Sequence, residues 1–167
     1  TYKRIALVAV AALGFGLLSV APSSAVTQSD TLTLGATATS VTTGTAASTT
    51  VTQTFLGNNG DTMTVTASLV SGPAGNTNIP TITANVTNGS NTTPSASGLV
   101  GTAMDTASGS TSVFHLVSAQ WTLGLPSSAI PGTYVIKATP AIAGGGGTLV
   151  SAAVTWTVTV AAVVTTV

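Results

Sequence analysis

Over residues 62–69 the side chains alternate strictly. Met63, Val65, Ala67 and Leu69 are apolar, while Thr62, Thr64, Thr66 and Ser68 carry hydroxyls. Successive side chains of an extended strand point to opposite faces, so a period of two gives one dry face and one wet face, as in antiparallel sheets. The same period recurs over 154–160, over 134–139, over 82–87 and over 51–55, where Gln53 interrupts the inner face. Helical periodicity is essentially absent after Ala25. The run 113–125 is the least regular, because Phe114 and Leu116 lie on the opposite parity from Val117, Trp121 and Leu123. A bulge near Ser118 is expected to reconcile them.

Turn chemistry separates these runs. Gly57-Asn-Asn-Gly60-Asp61 reads as a hairpin loop, and Ser71-Gly-Pro-Ala-Gly-Asn76 ends the next strand. Leu125-Pro126 and Pro131-Gly132 bracket a corner, and Gly144 to Gly147 form a flexible hairpin tip. Residues 71–112 are rich in Ser, Thr, Gly and Asn and read as loop-rich. About seven or eight short strands in roughly 130 residues imply an all-β, antiparallel sandwich. No tandem repeat points to a propeller or solenoid. The expected core is Leu32, Leu34, Val51, Phe55, Met63, Val65, Leu69, Trp121, Tyr134, Ile136, Trp156 and Val158.

Charge is scarce. The 167 residues hold three Lys or Arg, three Asp, no Glu, one His and no Cys. Charged residues make up 4%, against about 25% in ordinary domains. Nucleic-acid binding needs clustered Lys and Arg, and beyond Lys3 and Arg4 only Lys137 is basic. The absence of Cys excludes disulfides, thiolate zinc sites, a Cys nucleophile and a lipidated Cys. A mean hydropathy of +0.57 with 44% apolar residues argues against disorder. The wet faces therefore rest on Thr and Ser, about a third of the chain.

Lys3-Arg4 precedes an apolar run over 5–20 and then Ala21-Pro-Ser-Ser-Ala25. A basic start, an apolar stretch and small residues at the −3 and −1 places are the layout of a secretory signal peptide. Cleavage is expected between Ala25 and Val26, with a retained membrane helix as the alternative. The expected plan is a signal at 1–25, a linker at 26–30, a sandwich at 31–160 and a tail at 161–167. The expected location is secreted or at the cell surface, with membrane contact only through the N-terminal segment before cleavage. Thr1 is not Met and the end is apolar, so the chain reads as a piece of a longer one.

At Leu125-Pro-Ser-Ser-Ala-Ile-Pro-Gly-Thr-Tyr134-Val-Ile the chain resembles the E–F corner of bacterial immunoglobulin-like and fibronectin-III-like domains. The resemblance implies an immunoglobulin-like β-sandwich with Tyr134 as a tyrosine-corner residue, its ring inward and its hydroxyl bonded to backbone a few residues upstream. It further implies strand F at 134–139, an F–G loop at the glycine tip, strand G at 151–160, and Trp121 and Trp156 in the core. The antibody-type disulfide is absent, and 71–112 departs from the compact pattern. With its signal and Thr-rich strands the chain looks like secreted surface proteins of actinobacteria.

Few residues carry chemistry. His115 is the only histidine, and no Gly-x-Ser-x-Gly elbow accompanies it, so it reads as a strand residue. A carboxylate pair for glycoside hydrolysis has to come from Asp61 and Asp105, both in turn-like sequence where Asp bonds nearby backbone. Asn58, Asn59 and Asp61 offer three oxygens, whereas calcium wants about six to eight. Gly144 to Gly147 lacks the Lys and the helix of a phosphate loop. Asn85, Asn88 and Asn91 open three glycosylation sequons and mark an exposed stretch. Leu125-Pro-Ser-Ser-Ala lacks the Thr-Gly of a sortase signal.

No catalytic, metal or cofactor residue is assigned. The expected function is a secreted or surface-displayed structural and adhesive module, not an enzyme. Its partners are other surface proteins, or its own copies through sheet edges poorly guarded by charge. A carbohydrate- or ligand-binding sandwich is the alternative, and it calls for a solvent-exposed Trp121. A pilin-like filament subunit with a retained N-terminal helix is the further alternative.

Overall fold

The computed structural model describes residues 26–108 and 113–164, with side chains from Ser29 onward. The signal-like segment and Ala25 lie outside the described residues.

The elements are β1 (Val26–Leu34), β2 (Ala38–Thr42), β3 (Ala47–Gly57), β4 (Thr62–Ser71), β5 (Thr81–Ala84), a 3₁₀ turn (Val86–Asn88), β6 (Ser95–Ser97), β7 (Val100–Met104), β8 (His115–Leu125), β9 (Gly132–Gly144), β10 (Gly146–Gly147) and β11 (Val154–Ala161). They form two sheets, β10-β1-β3-β8-β5 and β2-β11-β9-β4-β7-β6. Every pairing is antiparallel except β1 with β10 and β2 with β11. β1, β3, β8 and β5 lie side by side in one sheet, and β4, β9 and β11 in the other. β6 and β7 extend the second sheet beyond β4 but follow β5 in the chain.

The alternating residues meet between the sheets. Val51, Phe55, Met63, Val65, Trp121, Tyr134, Ile136, Trp156 and Val158 are fully buried. Leu34 and Leu69 pack at the margin, half-buried. Gln53 stays on the inner parity, where its amide nitrogen donates to Met63 Sδ at 3.7 Å and its Oε1 has no partner among the described residues. An unmade bond of that kind costs about 1–3 kcal/mol.

The first strand changes sheets. Leu34 pairs with Val51 in one sheet, and Ala38 pairs with Thr157 in the other. At the crossing the buried Thr49 hydroxyl accepts from the Ala36 amide at 2.9 Å and donates to the Ala36 carbonyl at 3.0 Å. A residue that would otherwise lose its ladder partners is satisfied by one side chain.

Several local expectations are corrected. Residues 26–30 are the first half of β1 rather than a linker, because Val26 and Thr27 pair with Gly146 and Gly147. β8 carries no bulge near Ser118 and pairs with β3 without a shift from Leu125 to His115. Leu116 instead points outward opposite Leu56, so the outer face tolerates a cross-strand apolar pair. In that sheet the register shifts in β1, between Gln28 and Thr31, where Ser29 takes a φ of 51°. The strand expected over 82–87 ends at Ala84, because Asn85 turns the chain: its carbonyl accepts from the Asn88 amide at 3.2 Å and its side chain from the Thr87 hydroxyl at 2.9 Å. The 71–112 segment holds three strands, β9 runs on past Thr139 to Gly144, and β11 begins at Val154 rather than Ser151.

Gly101 on β7 faces the Trp121 indole of the opposite sheet. A Cβ at Gly101 would lie 2.5 Å from Trp121 Nε1. Overpacking of this kind costs about 1–3 kcal/mol. Gly101→Ala is therefore expected to lower the unfolding free energy in urea by that amount and to shift Trp emission, whereas Gly98→Ala probes an open site that is strained by its φ of 59° but leaves the indole untouched.

Candidate functional site

Apart from Tyr134, the ionisable side chains among the described residues are Asp30, Asp61, Asp105, His115 and Lys137. Lys137 is exposed on β9. The three acids are all buried, at 4%, 0% and 0% exposure. Acids are seldom buried without partners, so what each one touches defines its work.

Asp61 and Asp105 share one end of the sandwich. Asn58 to Asp61 form a turn closed by the Asp61 amide on the Asn58 carbonyl at 2.9 Å, with Gly60 at a φ of 94°. Gly60 donates to the Asp105 carbonyl at 2.9 Å and Asp61 accepts from the Asp105 amide at 2.8 Å, so two residues face one. That is a bulge with glycine in its left-handed position. The bulge turns the Asp61 side chain inward, where Oδ2 accepts from the Asn58 amide at 2.8 Å. Asp61 Oδ1 is buried without a hydrogen-bond partner among the described residues. Asp105 accepts from the Ala107 amide through Oδ1 at 2.8 Å and bonds His115 Nδ1 through Oδ2 at 3.1 Å. This contact holds the start of β8 to the end of β7.

The structure thus brings Asp61, Asp105 and His115 to one end and commits them to backbone and to each other. Asn59 does not join them, since its amide donates to the Ala107 carbonyl at 2.9 Å. Among the described residues, no three His or acidic side chains converge as metal ligands, and no pocket opens. The sequon asparagines stitch 85–91 to β8: Asn88 donates to Gln120 Oε1 and Asn91 to the Leu116 carbonyl, both at 2.9 Å. Tyr134 is buried, and its hydroxyl donates to the Ile130 carbonyl at 3.0 Å. Both indoles are buried, with Trp121 Nε1 on the Ser95 carbonyl and Trp156 Nε1 on Thr39 Oγ1, each at 2.9 Å.

Asp30 is the acid that sequence reasoning leaves without a role. It follows the β1 irregularity, and its carboxylate accepts from the Val150 amide at 2.7 Å, the Ser151 amide at 2.9 Å and the Ser151 hydroxyl. Burial raises its pKa, but the bonds from the Ser151 hydroxyl and the two amides outweigh burial and hold it below the ordinary value of 3.8. Its partners lie 120 and 121 residues away, so no local motif announces them.

No family model matches the sequence, and no curated protein is similar to it. Among solved structures, a chain of the CaDoc0917–CaCohA2 complex is similar at 16% identity and a TM-score of 0.44, over 79% of this chain and 99% of that one. A family 123 glycoside hydrolase from Clostridium perfringens is similar at 13% identity and a TM-score of 0.43, over 81% of this chain but 28% of the hydrolase. A non-cellulosomal cohesin from the hyperthermophilic archaeon Archaeoglobus fulgidus is similar at 10% identity and a TM-score of 0.39, over 80% of this chain and 91% of that one. Likeness at this level leaves the fold to be read from its own sheets.

The Asp30 bonds make a pH-dependent contribution. A lowered folded pKa stabilises the fold above the unfolded value, and that stability is lost as pH falls through the folded one. Asp30→Asn is expected to cost about 1–2 kcal/mol at neutral pH. The gap to wild type, measured by urea unfolding, narrows as pH drops below 3.8. A gap of constant size down the acid range contradicts the assignment.

Proposed function

We propose that this chain is a secreted or surface-displayed structural and adhesive module, an immunoglobulin-like sandwich that works by contact rather than catalysis. The observation that carries the reading is the placement of the acids. All three are buried and bonded to backbone amides that hold turns and loops. None faces an open cleft as a general acid or base would have to.

Much of the outer face of the first sheet is hydroxyl. Thr31 opposes Thr54, Thr33 opposes Thr52, and Thr50, Thr122 and Thr83 form a row across three strands. Such faces suit packing against other surface proteins, and the exposed charge is too sparse for nucleic acid. The chain also passes from end to end. β1 starts beside Leu56 and Gly146, while β11 finishes beside Gly132 and Thr42 at the opposite end. That layout suits a spacer between neighbours. The carbohydrate-binding alternative calls for an exposed Trp121, and Trp121 is fully buried.

The intact mass of the exported protein, with cell fractionation, tests the reading. A species beginning at Val26 in the medium or on the surface is expected, with both Trp residues resisting acrylamide quenching. A species still carrying residues 5–20 in membranes or filaments overturns it in favour of the pilin-like alternative.

A further inference from the structure

We propose that β2 is the docking edge for a second copy of this chain, its strand pairing antiparallel with its own mate about a two-fold axis at Ser40. The inference rests on the reading above and names the partner.

The two sheets end in four terminal strands, and three of these are blunted; beyond Thr27 the outer side of β1 has no β10 partner, but it is irregular between Gln28 and Thr31 and carries the buried Asp30. β10 has two residues, both Gly. β6 has three and follows Pro94. β5 has four, follows Pro80 and runs into the 3₁₀ turn. Short length and proline are common guards against edge pairing. β2 has five residues, Ala38-Thr-Ser-Val-Thr42, with no Pro, Gly or charge.

Its hydrogen-bonding groups divide cleanly. The Thr37 carbonyl accepts from the Thr157 amide and the Thr43 amide donates to the Ala161 carbonyl, both at 2.9 Å, so the odd residues face β11. Backbone groups alternate in direction along a strand. Ala38, Ser40 and Thr42 therefore present theirs away from the sheet, and among the described residues only the Thr42 carbonyl is engaged, by the Thr45 amide at 3.0 Å. Unpaired edge groups of this kind are a template for another strand. The template is already ordered, because Trp156 Nε1 bonds Thr39 Oγ1 from inside. Little further ordering is needed on pairing.

A second copy fits better than a foreign strand. Antiparallel pairing about Ser40 sets Ser40 opposite Ser40 and Ala38 opposite Thr42, so one sequence satisfies both sides, as an isologous contact requires. The outward side chains are small and uncharged, and the exposed cation, Lys137, lies two strands away on β9. Nothing repels the mate. A foreign strand gains its specificity from side-chain pockets, and the described residues form none.

The chain has no Cys, so Ser40→Cys supplies its sole thiol. Cα atoms of a hydrogen-bonded antiparallel pair stand about 5.5 Å apart, within disulfide range. In the exported chain, Ser40→Cys is expected to form a covalent dimer under mild oxidation. Thr42→Cys, facing Ala38, is expected to give less than about a tenth of that yield. Ser40→Pro removes the outward amide and should raise the dimer Kd in sedimentation equilibrium about tenfold or more. Ser40→Lys sets like charges on the axis and does the same without touching the backbone. A monomer at every concentration overturns the proposal, as does a dimer that Ser40→Lys leaves intact and Ser40→Cys fails to trap. Either result leaves the surface-module reading standing, since that is decided by the exported mass. A trapped dimer in a chain that keeps residues 5–20 would sustain the pairing and overturn the reading.

Discussion

Two buried indole N–H groups tie the core of this sandwich to its edges. A buried Trp needs an acceptor, because an unmade bond in the interior costs more than a made one gains. Trp121 takes its acceptor from Ser95 on β6, across the gap between the sheets, and Trp156 takes its acceptor from Thr39 on β2. Both acceptors lie on terminal strands of one sheet. The largest core residues therefore decide where the outermost strands lie. Gly101 belongs to the same arrangement, since any side chain there would displace the indole that holds β6.

Charge is used in an equally economical way. A domain normally spends its acids on hydration and keeps them outside. Here the acids are internal fasteners: Asp30 ties β1 to the approach of β11, Asp61 closes the β3–β4 turn, and Asp105 with His115 closes the passage from β7 to β8. Solubility then falls to Thr and Ser. Surfaces with so little net charge associate readily.

What the sequence made legible was the inner parity of the long strands. Over 62–69 and 154–160 each apolar residue alternates with a hydroxyl, and the fully buried positions of β4 and β11 fall on the apolar parity. The reading failed where one of its assumptions failed. It took the outer face to be wet throughout and so placed a bulge at Ser118, whereas Leu116 pairs outward with Leu56. β6 has three exposed residues, and the inner positions of β7 are Gly101 and Ala103, too small to mark an apolar face, so 71–112 reads as loop. The sheet change at Ala36 depends on the Thr49 hydroxyl thirteen residues away, and the Asp30 clasp closes across 120 residues. The turn-forming habit of Asp61 and Asp105 could be read, because Asp bonds nearby amides. Their meeting at one end depends on the β4–β7 register, which no local pattern encodes.

The parallel pairing of β2 with β11 also bears on how the sandwich meets tension. β2 follows β1 at the leading side of the chain, and β11 closes it, with five rungs from Thr157 and Ala38 to Ala161 and Thr42. Pulling the two ends of the sandwich apart slides these strands along each other, so every rung resists together. A hairpin pulled open at its tip would surrender its rungs one at a time. Rupture under load is governed by the unfolding rate rather than by equilibrium stability. The short, uncharged strand at the edge is therefore loaded in shear when the two ends are drawn apart.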